Sequence, residues 1–395
     1  MTASSPSSDA VAKIGDLAAE SGLRRVHLLS WRDLDDIEAG GSEVHAAEVA
    51  RCWADAGLDV TWRSSFAAGQ PSTTERDGYR VIRRAGRYLV FPRAAVAESL
   101  RRHGPSDALL EIWNGMPFFS PLWYRGPTAV MLHHVHAEMW QMVLGEDNPA
   151  LAWLGGTIES RVAPVVYRRS RIITPSESAR EEIVSLLRIP ARQIDVVHNG
   201  LSAAFRPGVA KTSHPSIVAV GRLVPVKRHD LLIRAAARAR ARVPDLRLTI
   251  VGEGYERARL AATVRDLDAE AWVHLAGRVD EPDLVRLYGE AWVAASASAR
   301  EGWGLSLTEA AACGTPAIAT DIAGHRDAVR RGTSGLLVPG SAEALGAALA
   351  DALLDDGLRT RLAAGALERV RDLSWESTAL GIMRTLAGQS SRHRR

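Results

Sequence analysis

Two glutamates, Glu301 and Glu309, lie eight residues apart in the segment EGWGLSLTE, and this spacing suits a ligand with hydroxyl and phosphate groups. Gly302 and Gly304 allow the backbone to approach a ligand closely. A helix predicted from about Leu305 presents unpaired N–H groups and a partial positive charge, which favour a phosphate. Carboxylates accept hydrogen bonds from sugar hydroxyls. The alternative is structural: Glu301 is solvated and Glu309 complements the helix dipole.

A second candidate segment, GRLVPVKRHD, follows a predicted strand and carries Arg222 and Lys227. Two fixed cations on one loop suit a diphosphate, because arginine can bind two oxygens and lysine is a compact charge. Only three of the 49 basic residues are lysine, namely Lys13, Lys211 and Lys227, so a lysine in this loop is informative. A surface pair is the alternative, but positive charge at a helix start is unfavourable without an anion.

Three histidines, His133, His134 and His136, follow the predicted strand TAVML. They could line a catalytic site, make structural hydrogen bonds or bind a metal ion. Alternation along a strand sends neighbouring side chains to opposite faces, which disfavours the metal site. We therefore predict no metal.

Short apolar strands alternate with helices along the whole chain, which predicts parallel sheets covered by helices on both faces. The pattern restarts at SIVAVGRL, after a linker with two prolines. We therefore expect an α/β protein with two doubly wound, Rossmann-like domains that face an interdomain cleft. The expected parts are a flexible N-terminal tail over 1–22, domains over 23–205 and 206–375, and, over 376–395, a C-terminal helix with a basic tail that could pack on the first domain.

The composition excludes several classes of protein. The 395 residues exceed what one core usually supports, and a net charge of +3 gives no sign of nucleic-acid binding. Cys52 and Cys313 form neither a disulfide framework nor a zinc cluster, which favours a reducing, cytoplasmic setting. No apolar run reaches the roughly 18 residues of a spanning helix, and the serine-rich N-terminus lacks the apolar core of a signal peptide.

The segments GRLVPVKRHDLLIRA, LTIVGEG and EGWGLSLTEAAACGTPAIATDIAGHRD resemble the donor-binding half of glycosyltransferase family 4. VVHNGLSAAFRP and GTSGLLVPGSAEAL extend this resemblance, which covers about residues 24–385. It implies the GT-B fold and a retaining enzyme that depends on a nucleoside diphosphate sugar. It also implies that Arg222 and Lys227 hold the donor diphosphate, that Glu301 lies near the transferred sugar, and that Glu309 holds the ribose hydroxyls.

Further roles follow from the same resemblance. Backbone groups of Val279 would contact the base, and Gly40 and Gly41 would lie near the donor phosphates and the acceptor. His133 matches a histidine near the transferred sugar, with His134 as the alternative. The turn whose backbone amides would meet sugar and phosphate consists of Gly302, Trp303, Gly304, Leu305 and Ser306. Its tryptophan replaces the phenylalanine usual in the family, which could reshape the sugar pocket.

The implied function is transfer of a hexosyl group from a UDP- or GDP-sugar to a hydroxyl of a glycan, glycolipid or small-molecule acceptor. No cofactor or metal is expected, because Arg222, Lys227 and the amides near Gly304 would stabilise the leaving diphosphate. The alternatives are a non-hydrolysing sugar-nucleotide epimerase, which shares the architecture, and a catalytically silent sugar-nucleotide binder. A NAD-dependent dehydrogenase is disfavoured, since GEGYERA lacks the third glycine of a dinucleotide loop.

Seven arginines lie between Arg80 and Arg102, which could dock the protein on anionic lipid at the inner face of the membrane. A solvated basic face is the simpler interpretation. We expect a cytoplasmic enzyme, with peripheral membrane contact left open.

Overall fold

The computed structural model describes residues 6–136, 140 and 148–393, and the chain divides into two compact units. The N-terminal unit comprises 1–200 and 373–395, and the C-terminal unit 201–372. The first boundary thus lies five residues before the expected one. Gly200, the last residue before this boundary, packs on the backbone of Trp375 in the same unit, since a Cβ there would lie 2.2 Å from the Trp375 nitrogen.

The N-terminal unit is built on one eight-stranded sheet. Its strands are β1 (Arg25–Leu29), β2 (Asp59–Ser64), β3 (Thr73–Arg76), β4 (Tyr79–Arg83), β5 (Ala108–Trp113), β6 (Thr128–Leu132), β7 (Arg171–Thr174) and β8 (Ile194–Val196). The order is β3-β4-β2-β1-β5-β6-β7-β8, and β3 pairs antiparallel with β4 while the other neighbours are parallel. The inner strands β1, β2, β5 and β6 are buried along most of their length, as expected for a mainly parallel sheet covered on both faces.

The C-terminal unit contains a six-stranded parallel sheet in the described part of the chain. Its strands are β9 (Ser216–Val220), β10 (Arg247–Val251), β11 (Val273–Gly277), β12 (Val293–Ser296), β13 (Ala317–Thr320) and β14 (Gly335–Val338). Their order is β11-β10-β9-β12-β13-β14.

The α-helices of the two units have the following bounds. They are α1 (Pro6–Ser21), α2 (Gly41–Asp55), α3 (Val90–Ser99), α4 (Ser120–Trp123), α5 (Pro149–Thr157), α6 (Ala163–Tyr167), α7 (Glu177–Leu187), α8 (His229–Arg240), α9 (Arg257–Asp266), α10 (Glu281–Glu290), α11 (Leu305–Ala312), α12 (Ala323–Ala328), α13 (Ala342–Leu354), α14 (Asp356–Val370) and α15 (Trp375–His393). Within the described residues, no helix is both long and apolar enough to span a membrane.

In each sheet, later strands lie on both sides of the first strand, so the strand order reverses there. β1 lies between β2 and β5, and β9 lies between β10 and β12. The loops that follow β1 and β5 therefore leave the sheet side by side at its carboxyl edge, as do those that follow β9 and β12. Such switch points are where doubly wound sheets bind ligands.

The predicted flexible tail over 1–22 is wrong for the residues that the structure describes. Helix α1 packs on α15 and α2, with Ile14 and Ala18 buried. Ser390 donates a hydrogen bond to the carbonyl of Ser21 at 2.8 Å. The serine-rich start of the chain hides this helix, whose apolar side chains recur at helical spacing.

The last helix, α15, belongs to the N-terminal unit although it follows the C-terminal unit in sequence. The indole of Trp53 donates to the carbonyl of Ala379 at 3.1 Å, and the hydroxyl of Thr378 donates to the carbonyl of His198 at 2.7 Å. The contacts of α1, α2 and α15 thus form one helical layer of this unit.

Candidate active site

The loops after β9 and β12 bring Lys227 and Glu301 into contact in the C-terminal unit. Lys227 ends a 3₁₀ turn, Pro225–Lys227, and the backbone nitrogen of Ala299 donates to the carbonyl of Val226 at 2.8 Å. This bond joins the two loops. The Lys227 Nζ lies 2.5 Å from the Glu301 Oε1, and the side chains are 20% and 17% exposed. A partly buried ion pair therefore occupies the switch point of this sheet.

The carboxylate of Glu301 is held in place by several groups. The hydroxyl of Ser298 donates to it at 2.7 Å. Burial raises the pKa of Glu301, but the charge and hydrogen bond of Lys227, with the hydrogen bond from Ser298, leave the pKa below its ordinary value. A Cβ at Gly324 would lie 2.2 Å from the Glu301 carbonyl oxygen, so the start of α12 can approach this loop only through a glycine.

Helix α11 begins directly after the Glu301 loop. The carbonyl of Gly304 accepts hydrogen bonds from the backbone nitrogens of Leu307 and Thr308, both at 3.0 Å. The N–H groups of Leu305 and Ser306 precede these bonds and lie at the open end of the helix, where an anion is favoured.

Trp303 of this turn is buried, with 5% of its surface exposed. The guanidinium of Arg369 lies 5.6 Å from its ring centroid, in the cation–π range. Gly302 is also buried. The tryptophan ring therefore packs inside the C-terminal unit, where a larger ring than phenylalanine is accommodated.

Glu309 lies on α11 and has a different protonation state from Glu301. The hydroxyl of Tyr288, on α10, donates to its Oε2 at 2.9 Å. Burial raises the pKa of Glu309 to about 7, against the effect of the Tyr288 hydrogen bond, and the charge of Glu281 adds to the rise. The pKa of Glu309 therefore lies near neutral pH, whereas that of Glu301 lies below its ordinary value.

Arg222 lies in the loop after β9, packed against the loop after β10. The backbone nitrogen of Leu223 donates to the Glu253 carbonyl at 2.8 Å. Gly252 has a φ of +138°, and a Cβ there would lie 2.0 Å from the Gly221 carbonyl oxygen. The glycines of GEGYERA thus allow two loops to touch, which explains them without a dinucleotide. Val279 lies on the next loop of this edge, after β11, and is partly buried in an apolar cluster.

In the N-terminal unit, Gly40 and Gly41 stand where the loop after β1 meets α2. The backbone nitrogen of Gly40 donates to the carboxylate of Glu43 at 2.8 Å, and the Ser42 hydroxyl donates to the same oxygen at 2.9 Å. The amide of Asn114, at the end of β5, donates to the Ser42 hydroxyl at 2.9 Å. These bonds fix the glycine loop at the switch point of this sheet.

His136 has a structural set of hydrogen bonds. Its Nδ1 accepts from the backbone nitrogen of Gly115 at 3.3 Å, so Nε2 carries the proton and donates to the Asn114 Oδ1 at 2.9 Å. Its backbone nitrogen donates to the buried Glu159 at 2.9 Å. Sequence analysis missed Asn114 and Glu159, because a lone polar residue at a strand end or in a helix carries no pattern.

His133, at the end of β6, has a different environment. Among the described residues neither ring nitrogen has a hydrogen-bond partner, and the ring lies 5.0 Å from that of His45, nearly perpendicular to it. Burial lowers the pKa of His133 to about 4, and His136 adds to this effect. The imidazole is therefore neutral. The centroid of the His134 ring lies 4.3 Å from that of His136, with the two rings tilted by 30°. In the described part of the chain, no three His, Cys, Asp or Glu side chains are grouped so that they could hold a metal ion.

Two family models together match most of the chain. Residues 39–205 match the model described as Glycosyltransferase Family 4, and residues 203–369 match that described as Glycosyl transferases group 1. The D-inositol 3-phosphate glycosyltransferase of Frankia alni is 34% identical, over 88% of this chain and 94% of its own. The chain belongs to glycosyltransferase family 4. The enzyme of the same name from Acidothermus cellulolyticus is 30% identical, over 88% of this chain and 85% of its own.

Solved structures of other glycosyltransferases share the fold. Sucrose-phosphate synthase from Thermosynechococcus elongatus superimposes with a TM-score of 0.77 at 21% identity, covering 94% of this chain and 99% of its own. Anabaena HepE in complex with UDP-glucose gives a TM-score of 0.69 at 17% identity, with 94% and 99% covered. The predicted family, GT-B fold and enzyme class are thereby confirmed, while the roles of individual residues remain predictions.

Proposed function

We propose that this glycosyltransferase moves a hexosyl group from a UDP- or GDP-sugar to a hydroxyl of a glycan, glycolipid or small-molecule acceptor. The transfer retains the anomeric configuration and uses no metal. The observation that carries the proposal is the Lys227–Glu301 pair beside the open N-terminus of α11. The complex of HepE with UDP and glucose supports a nucleotide-sugar donor, and family resemblance supports retention.

Each group has a proposed task in the transfer. As the anomeric C–O bond breaks, negative charge develops on the diphosphate, and Arg222, Lys227 and the first amides of α11 would stabilise it. Lys227 would then share its charge between phosphate and Glu301, whose carboxylate would orient the sugar hydroxyls. Glu309 would accept the ribose hydroxyls. The leaving phosphate would take the acceptor proton in a front-side attack, and the neutral His133 would hydrogen-bond the sugar.

The test compares the glycosyl-transfer activity of the wild type with that of Lys227→Ala. Lys13→Ala, which changes an exposed lysine, is the control. UDP-glucose and GDP-mannose are the donors, inositol 3-phosphate is the first acceptor, and proton NMR identifies the anomer. We expect an unchanged anomeric configuration and a loss of about a hundredfold or more in kcat for Lys227→Ala alone, with an unchanged Tm. Inversion, or near wild-type turnover in Lys227→Ala, would refute the mechanism. An isomerised donor without acceptor would indicate an epimerase.

We also propose that the outer face of α3 contacts an anionic membrane surface. Exposed apolar side chains on and beside this helix are Tyr88, Leu89, Val96 and Leu100. Exposed arginines without an ion pair among the described residues surround them, namely Arg84, Arg93, Arg101 and Arg102. The one acid between positions 84 and 102, Glu98, is buried and pairs with His27 at 2.6 Å. Within this segment the exposed side chains are therefore apolar and basic, as in interfacial helices, while Glu38 of the loop after β1 pairs with the neighbouring Arg87.

Cosedimentation with vesicles tests this surface. The wild type should pellet with vesicles containing phosphatidylglycerol, but not with pure phosphatidylcholine, and added salt should release it. Arg93→Glu should bind less, whereas Arg265→Glu, which changes an exposed arginine of α9, should bind like the wild type. If all three proteins bind the vesicles equally, or if none of them binds, the proposed membrane contact is refuted.

A further inference from the structure

A series of hydrogen-bonded side chains connects the buried His325 of α12 to Glu301. The His325 Nδ1 donates to the Thr320 carbonyl at 2.8 Å, and its Nε2 lies 3.1 Å from the Ser296 hydroxyl. That hydroxyl lies 3.2 Å from the Ser298 hydroxyl, which donates to the Glu301 Oε1 at 2.7 Å. Sequence analysis assigned no role to His325, Ser296 or Ser298.

When His325 is neutral, one contact in this series of hydrogen bonds has no proton. A carbonyl only accepts, so Nδ1 must carry a proton, and the Glu301 carboxylate takes the single proton of Ser298. The single proton of Ser296 can then serve either the bare Nε2 or the Ser298 oxygen, but not both. With a protonated imidazole, Nε2 donates to Ser296, Ser296 donates to Ser298, and every contact has its proton.

Burial, together with the charge of Lys227, favours the neutral form of His325 in the free protein. Burial lowers the pKa of His325 and outweighs Glu301, which raises it. Lys227, on the turn after β9, lowers the pKa further, and Asp321, at the end of β13, raises it slightly. A negative charge that neutralises Lys227 would therefore favour the imidazolium.

We propose that His325 is a positioning residue, which acts through Ser296 and Ser298 to fix the carboxylate of Glu301 and becomes protonated when the donor diphosphate pairs with Lys227. This inference rests on the proposed function, since it takes a nucleoside diphosphate as the ligand of Lys227. Protonation supplies the one missing proton, so that three consecutive hydrogen bonds run from His325 through Ser296 and Ser298 to Glu301. The sugar would thus meet a rigid carboxylate only after the diphosphate is bound.

Nitrogen NMR of the 15N-histidine-labelled protein tests the protonation step directly. UDP and GDP are titrated first by calorimetry, and the one that binds is added at saturation. We expect two unlike ring-nitrogen shifts for His325 in the free protein, as for a neutral ring, and two similar imidazolium shifts in the complex. The resonance is assigned by its loss in His325→Gln. A ring that stays neutral in the complex overturns the inference, whereas absence of binding heat with both nucleotides overturns the proposed function as well.

Substitution of Ser296 tests the positioning step without touching Lys227 or Glu301. Ser296→Ala should lower kcat by roughly tenfold, the equivalent of one hydrogen bond to a charged group, with the Kd for the nucleotide within about twofold of wild type. The matched control is Ser216→Ala, at the opposite end of the neighbouring strand β9. A lower Tm with unchanged kcat in Ser296→Ala would show a structural role only and contradict the proposal.

Discussion

At the scale of residues, the candidate donor site combines two acids with opposite pKa shifts. Lys227 keeps Glu301 ionised, whereas burial beside Tyr288 raises the pKa of Glu309 to about 7. Both carboxyls lie on one loop and the helix that follows it, and Glu301 is in contact with the cation of Lys227. Shifted pKa values are frequent at functional sites.

The shift of Glu309 predicts a pH dependence of nucleotide binding. Below its raised pKa the carboxyl is protonated and loses acceptor capacity, so the affinity for UDP should rise between about pH 6 and about pH 8. Calorimetry at several pH values measures this rise. In Glu309→Gln the rise should shrink to the part caused by ionisation of the phosphate and other groups, which both proteins share. An identical pH profile for the two proteins would rule out Glu309 as the titrating group.

The residues that the sequence predicted and those it missed differ in a physical way. Lys227 and Glu301 could be proposed because each stands in a motif of glycines and charges after a strand. Their contact across 74 residues follows from strand order, which no local pattern specifies. Ser296, Ser298 and His325 carry no such signal, because isolated serines and a histidine gain meaning only from their distances.

At the scale of elements, periodicity predicted the alternation of strands and helices but not the short or atypical pieces. The strands β3, β4 and β14 are only four or five residues long. For such short strands, pairing with neighbouring strands decides the structure. Helix α1 was missed because serines at its start and acids along it obscure its apolar periodicity, although its buried face is apolar.

The packing of α1 predicts a clear effect on stability. Ile14 is fully buried, so Ile14→Ala should lower the free energy of unfolding of the N-terminal unit by about 2–5 kcal/mol. Asp16→Ala, an exposed position on the same helix, should change it by less than about 0.5 kcal/mol. Urea unfolding followed by tryptophan fluorescence measures both. Equal stability of the two variants would mean that α1 does not belong to the packed unit.

At the scale of the whole molecule, the fold class followed from composition and alternation, and the family comparisons confirm it. The reversal of strand order beside β1 and β9 could not be predicted, because it depends on which strands pair. That reversal gives each unit a switch point lined by residues from separate parts of the chain. Two similar sheets thus carry different side chains at the same topological position.

We propose that the switch point of the C-terminal sheet binds the diphosphate of a sugar nucleotide. A crystal structure of the protein with UDP would show whether it does. Phosphate oxygens should contact Lys227 and the first amides of α11, and the ribose hydroxyls should contact Glu309. A nucleotide bound elsewhere, touching neither Lys227 nor Glu309, would contradict it.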